Sequence, residues 1–505
     1  MSDRRRVEHP APRGLPNAAT LDRPPRVAVV GAGIAGLTAA TALAERGVRV
    51  QIVEREHHLG GRVGAWTEVL DDGTPVAMNR GFHAFFRQYY NLRAVLRRVD
   101  PDLGMLTAVQ DYPLVDGDGR RDTFRGLPTS PPLNAIAFAL RSPTFRLRDL
   151  IRLDARAAAP LAAVSVPEIY RRLDDTDAEA FLAAINFPEA ARHLAFEVFS
   201  RSFFARPSQL SAAELATMFH IYFLGSSEGL IFDVADSNFD VALWNPLRKY
   251  LENLDVTFRT GTGVDRIDAG DEFYVHCGSG HDIAVDAVVM ATDVEGLQRI
   301  TAASPGLGDH HWRNRVAAMG RAAPFVVHRL WLDRPVHPHR PAFLGTGGLE
   351  PLDNVSVLER YEQQAADWAR STGGSVVELH SYAVGEDEPD LREPLLDRLR
   401  QLFPETAGAQ VIAERILRRA DCPRFAPGDF ADRPGVHTPT PGLVLAGDGI
   451  RVDLPVALME RAATTGFCAA NALLHGFGIA GHPIHTVPTR GRMPVLSKLA
   501  GRVNR

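Results

Sequence analysis

Gly31, Gly33 and Gly36 form a Gly-x-Gly-x-x-Gly turn, with Glu54 following 18 residues after the last glycine and Gly60-Gly61-Arg62 just beyond. These residue types at this spacing can hold a dinucleotide. Gly31 permits a tight turn, Gly33 lets a pyrophosphate approach the backbone, and Gly36 lets a helix and a strand pack closely. Ala32, Ile34 and Ala35 lie at the start of that helix, where free N–H groups and a partial positive charge suit phosphate. Glu54, with Arg55 beside it, can accept hydrogen bonds from ribose hydroxyls. A second glycine turn ending in Arg62 suits a second pass over the pyrophosphate.

The elements that must position these residues are legible around them. Arg26 to Val30 is an apolar run of strand type, Ile34 to Arg46 an Ala/Leu-rich helix, and Val48 to Val53 a second strand that ends on the acid. Far downstream, Leu443-Val444-Leu445-Ala446-Gly447-Asp448 reads as a strand ending in Gly-Asp, and a helix follows from about Val456 to Leu474. No second Gly-x-Gly-x-x-Gly follows a strand, since Gly345-Thr346-Gly347-Gly348 lacks the helix and the acid. A nicotinamide co-substrate is therefore not indicated.

With Gly60-Gly61-Arg62 added, the N-terminal fingerprint resembles that of the FAD-binding amine oxidase and carotenoid desaturase superfamily. The resemblance implies FAD as cofactor. It also implies that Val264 touches the adenine side, Asp448 reaches the sugar-alcohol chain, and the helix starting near Val456 faces the flavin. The expected fold class is α/β: a discontinuous Rossmann-type FAD-binding domain with an α+β substrate domain.

Asn79-Arg80-Gly81-Phe82-His83-Ala84-Phe85-Phe86-Arg87-Gln88-Tyr89-Tyr90-Asn91-Leu92 is similar to the Gly-x-His-x-Phe-Phe-x-x-Tyr-x-Asn-Leu segment of carotene desaturases. As a whole it looks most like the bacterial carotenoid φ-ring synthases, also called isorenieratene synthases, over about Arg26 to Gly476. Desaturases often carry an acid just before this glycine, where this chain has Asn79-Arg80. The resemblance implies that Gly81, Phe82 and His83 lie at the flavin and that Arg80 and His83 are the catalytic candidates. His83 is either a hydrogen-bonded histidine under the flavin or a proton relay, since an unperturbed imidazole titrates near neutrality. Phe82, Phe85, Phe86 and Tyr89 are candidate walls of a substrate pocket.

The implied reaction suits a flavin. Aromatising a β-ring removes four electrons, and a methyl must leave the quaternary carbon by a 1,2-shift, so β-carotene would become isorenieratene without an external methyl donor. Electrons would pass to oxygen or to a quinone. The alternatives are a linear carotene desaturase or isomerase, a flavin amine oxidase, and a non-catalytic isoprenoid carrier like the Rab GDP-dissociation inhibitors. Amine oxidases usually have a flavin-facing lysine, and Lys249 and Lys498 offer no evident counterpart.

The 505 residues suffice for two or three domains, and a net charge of −5 carries no nucleic-acid signature. Cys277, Cys422 and Cys468 form neither a metal spacing nor a disulfide framework, which suits a reducing compartment. The expected organisation is a disordered tail over 1–25 and FAD-binding parts over 26–99, 240–300 and 421–478. Between them lie a mainly helical, membrane-facing region over 100–239 and a substrate-domain sheet with helices over 301–420, before a basic tail over 479–505. Thr176-Asp177-Ala178-Glu179 reads as a capping box, and Pro188 opens a helix through Phe199. Arg141, Arg146, Arg148, Arg152 and Arg156 among apolar residues, with the basic tail, suit an anionic bilayer surface. The expected location is the cytoplasm, peripheral to the cytoplasmic membrane.

Overall fold

The computed structural model describes residues 3–144, 154, 156–188, 201–278, 280, 282–385, 388 and 390–491. Five parallel strands form the first sheet, in the spatial order Thr257–Arg259, Arg49–Val53, Arg26–Val30, Ala287–Met290 and Leu443–Leu445. Arg26–Val30, Ala287–Met290 and Leu443–Leu445 are buried almost throughout, because helices and a second sheet cover both faces, whereas the edge strand Thr257–Arg259 is partly exposed. The Ile34–Ala44 helix is Ala-rich and buried on every side, packed against the long Leu458–Gly476 helix. Three distant segments therefore build one nucleotide-binding unit, as the α/β reading expects.

The second unit is a seven-stranded mixed sheet. Its order is Val411–Arg419, Phe325–Leu332, Ser375–Ser381, Asn354–Val357, Phe343–Gly347, Leu114–Asp116 and Arg121–Asp122. Its last two strands come from the stretch expected to be mainly helical. Helices are nevertheless numerous there, including Leu133–Arg141, Ala178–Ala184 and Ala212–Phe219. The cap at Ala178 differs by one residue from the expected box: the Asp177 carboxylate accepts the Ala180 N–H at 2.7 Å. The helix expected from Pro188 to Phe199 lies outside the described residues, apart from its first position.

Within the expected disordered tail over 1–25, the described residues 3–25 are ordered. Val7–His9 pairs antiparallel with Ile484–Thr486. The buried Asp3 carboxylate accepts from the Ser226, Ser227 and Tyr90 hydroxyls. The stretch lacks an apolar run of its own, but it is held by edge pairing and by hydroxyl donors from a distant loop. For the same reason the start of the 479–505 segment is a strand rather than a tail, and residues 492–505 lie outside the described set.

Candidate active site

A cavity of about 950 Å³ runs from the glycine turn to the face of the seven-stranded sheet. At one end Gly31 takes φ +104°, and a Cβ there would lie 2.5 Å from the Ala291 carbonyl oxygen. At Gly36 a Cβ would lie 1.9 Å from the Gly31 oxygen, so helix and turn touch. The second glycine turn packs on the first, with the Gly60 N–H donating to the Ala32 carbonyl at 2.9 Å. The Glu54 carboxylate accepts the Ala32 N–H at 2.7 Å and the Glu56 N–H at 2.8 Å. Burial raises its pKa, against the pull of those two donors. Each oxygen keeps a further lone pair for a hydroxyl.

Gly31, Gly33, Ile34, Ala35, Glu54, Arg55, Gly60, Gly61, Arg62, Val264, Gly447 and Asp448 all line this cavity. Arg62 and Asp448, from opposite ends of the chain, meet as an ion pair. Ala32 and Gly36 stand directly behind the lining. Val456 does not reach the cavity: its carbonyl accepts from Arg461 Nε at 3.0 Å, and Leu458, Met459 and Ala462 form the wall instead. The physical reason is that the helix begins two residues later than expected, at Leu458.

The residues fit a flavin dinucleotide. The Ile34–Ala44 helix opens on the cavity with no side-chain cap, and the nearest protein atom to a Cβ at Gly33 is 4.0 Å away. A bare helix N-terminus facing a glycine-lined cleft is a site for phosphate.

The other end is aromatic. Phe82 packs at 4.6 Å between centroids on Phe343, and Phe86 at 4.6 Å edge-on to Tyr222. The Tyr89 and Tyr222 hydroxyls are 3.0 Å apart. Phe82, Phe86 and Tyr89 line the cavity. Phe85 does not. It is fully buried against Phe239 in the core beneath the nucleotide domain. Adjacent residues of an extended segment point to opposite sides, so Phe85 and Phe86 cannot share a wall.

His83 and Arg80 also line the cavity, while Gly81 sits behind it. His83 Nδ1 lies 2.8 Å from the Gly81 carbonyl and must donate to it, which leaves Nε2 as acceptor. Burial pushes the imidazole down to about 4, so it is neutral near pH 7. Arg80 donates to both Asp421 oxygens, at 2.7 and 2.8 Å. A guanidinium held this way is a fixed charge, not an acid or base.

Behind the Asn79–Gly81 turn lies a buried polar cluster absent from the sequence reading. Arg329 Nη2 donates to Glu378 at 2.6 Å and to Asn79 Oδ1 at 2.7 Å. Glu378 in turn meets His380, and His380 meets Tyr382. Asn79 Nδ2 donates to Glu362, whose carboxyl is raised to about 7, by burial above all. His380 and Tyr382 face the cavity. The available signal was charge inside apolar strand runs: Phe325–Leu332 and Ser375–Ser381 are buried throughout yet carry His328, Arg329, Glu378 and His380.

The profile of the family described as flavin containing amine oxidoreductase matches residues 34–474. The chain belongs to that family. It is 56% identical over 507 residues to a carotenoid phi-ring synthase of Streptomyces griseus, covering 99% of this chain and 96% of that one. It is 28% identical to a carotenoid phi-ring synthase of Chlorobaculum tepidum, covering 94% and 92%. The fold is similar to that of cyclohexylamine oxidase from Brevibacterium oxydans, with TM-score 0.64, 17% identity and coverage of 90% and 100%. The chain is thus an oxidoreductase with FAD as cofactor, and the glycine turns, Glu54, Arg62 and Asp448 are the cavity residues that would hold it.

Proposed function

We propose that this enzyme desaturates the end rings of a carotenoid and couples that oxidation to a 1,2-methyl shift, turning β-carotene into isorenieratene. The observation that carries the reading is full-length similarity, at 56% identity, to a protein named carotenoid phi-ring synthase. The aromatic arm supports it. Flavin supplies two-electron oxidation when bound, and two such rounds account for the four hydrogens each ring loses. The chain's own residues present aromatic faces, which tolerate a cationic ring. Among the described residues no lysine lines the cavity, which disfavours the amine oxidase alternative. The electrons would leave to a quinone or to oxygen.

Expression in cells that make β-carotene tests the reading. The product should be lighter by four hydrogens per ring at unchanged carbon count, and labelled methionine should leave it unlabelled when unlabelled β-carotene is supplied. Consumption of phytoene or ζ-carotene with β-carotene untouched would transfer the assignment to a linear desaturase.

The substrate of such an enzyme dissolves in lipid, and we infer delivery from a membrane surface through the Leu133–Arg141 helix. Leu133, Ile136 and Leu140 are 56%, 50% and 66% exposed on one side of it. On the other side Phe138 stacks at 4.9 Å on Phe124, which lines the cavity. Arg141, at the end of the helix, and Arg156 are exposed, whereas Arg146, Arg148 and Arg152 lie outside the described residues. No described helix is long and apolar enough to cross a membrane. Ile136→Asp with Leu140→Asp should reduce sedimentation with liposomes several-fold and leave FAD absorbance intact. Equal sedimentation of variant and wild type rules this helix out as the contact.

A further inference from the structure

Loss of a ring proton is the last step of any aromatisation, so the proposed reaction needs a group that accepts one. Two imidazoles border the cavity near the Gly81 turn. His83 has a backbone carbonyl on Nδ1 and no carboxylate partner among its hydrogen bonds. His380 is differently placed. The Ser375–Ser381 strand sets Glu378 and His380 on one face, and Tyr382 follows two residues on. His380 Nε2 is 2.9 Å from Glu378 Oε1, and its Nδ1 is 3.1 Å from the Tyr382 hydroxyl.

We propose that Tyr382, His380 and Glu378 form the relay that takes up this proton, with the Tyr382 oxygen as acceptor and His380 and Glu378 as positioning residues. The inference rests on the ring-aromatising reading. Burial opposes ionisation of Glu378, but the adjoining Arg329 guanidinium and His380 hold it down to about 2, so it is a carboxylate. A carboxylate only accepts, so His380 carries its proton on Nε2 and offers a lone pair at Nδ1. That lone pair takes the Tyr382 O–H, which leaves the phenolic oxygen's lone pairs free. Burial raises Tyr382 far above the usual phenol range, so it works as a phenol and not as a phenolate.

The step balances. The ring C–H bond breaks and its electron pair stays in the ring, completing the arene. The proton goes to the Tyr382 oxygen while the phenol's own proton passes to His380 Nδ1. The positive charge of the ring cation ends on His380, against Glu378. When product leaves, the proton returns through Tyr382 to water. The logic is that of a hydroxyl, an imidazole and an orienting carboxylate in series, run here on a carbon acid.

His380 also packs closely on the Gly81 turn, since a Cβ at Gly81 would lie 2.9 Å from His380 Cε1. The test must separate the two roles. Tyr382→Phe in the FAD-loaded enzyme deletes a single oxygen. Expected are a kcat lower by about 100-fold with KM unchanged, unaltered flavin absorbance and thermal midpoint, and a primary deuterium isotope effect for β-carotene labelled on the ring. His380→Gln should show the same kcat loss. Wild-type kcat in Tyr382→Phe overturns the relay, as does a kcat loss accompanied by loss of FAD or of stability. A 100-fold loss in His83→Gln with none in Tyr382→Phe makes His83 the base instead. If wild-type enzyme makes no arene from β-carotene, the ring reading falls and takes the relay with it. If it does make arene and Tyr382→Phe keeps pace, the relay falls alone.

Discussion

Gly33→Val should yield a folded, colourless protein. A side chain at Gly33 meets open cleft on the protein side, with the nearest atom, Gly61 Cα, 4.0 Å from the added Cβ. It would fill the space through which a pyrophosphate would reach the helix N-terminus. FAD affinity should fall at least about 100-fold, or ~2.8 kcal/mol. The circular dichroism of the variant should match that of wild-type apoprotein. Thermal unfolding should match the apoprotein too, because only the stabilisation from bound ligand is lost. Gly36→Val is the contrast. Its Cβ would overlap the Gly31 carbonyl oxygen at 1.9 Å, so this variant should fail to accumulate as soluble protein. Full flavin occupancy in Gly33→Val would remove the cofactor assignment of this turn.

The second large effect is expected at Arg329. This side chain is fully buried and donates to Glu378, Asn79 and the Ala77 carbonyl. Arg329→Met leaves Glu378 as an uncompensated charge in the core, at a cost of about 3–5 kcal/mol. The thermal midpoint should drop by several degrees. Replacing both partners, Arg329→Met with Glu378→Met, removes the orphaned charge and should restore much of that loss, because the two residues are coupled. Single and double variants with equal midpoints would mean that Glu378 and Arg329 do not depend on each other.

These two sites mark the boundary of what the amino-acid order discloses. The nucleotide end is legible because its parts are local. Gly31, Gly33 and Gly36 act within one turn, and Glu54 ends the strand next door. Asp448 could be read as well, since a strand ending in Gly-Asp has a defined purpose once the first motif is known. The buried polar cluster at the other end is not local. Arg329 faces Glu378 because Phe325–Leu332 pairs antiparallel with Ser375–Ser381 in one register, and a slip of one residue would turn each side chain to the opposite face. Register of that kind depends on turn geometry and packing that neither strand encodes alone. Phe85 was misread for a related reason. Aromatic type identifies a buried residue, but only the strand's alternation decides whether it faces a pocket or the core. The N-terminal segment carried no apolar signal because its anchor, Asp3, is a carboxylate that finds hydroxyl donors on a distant loop.

The order of strands in the parallel sheet has a consequence for biosynthesis. Arg26–Val30 is among the first strands to leave the ribosome, yet one of its neighbours is Ala287–Met290, which in turn pairs with Leu443–Leu445. Asp448 emerges about 400 residues after Gly31. At usual elongation rates that is a wait of roughly 20–80 s. The first strand's apolar edge waits about 260 residues for Ala287–Met290, and the helix behind it waits for the whole interval and beyond for Leu458–Gly476. Exposed apolar surface of this kind is what chaperones shield, and the cavity is complete only once translation has nearly finished, because Asp448, Leu458, Met459 and Ala462 form part of its wall. Flavin supply during expression should therefore govern how much of the completed chain is rescued, not how fast it is made.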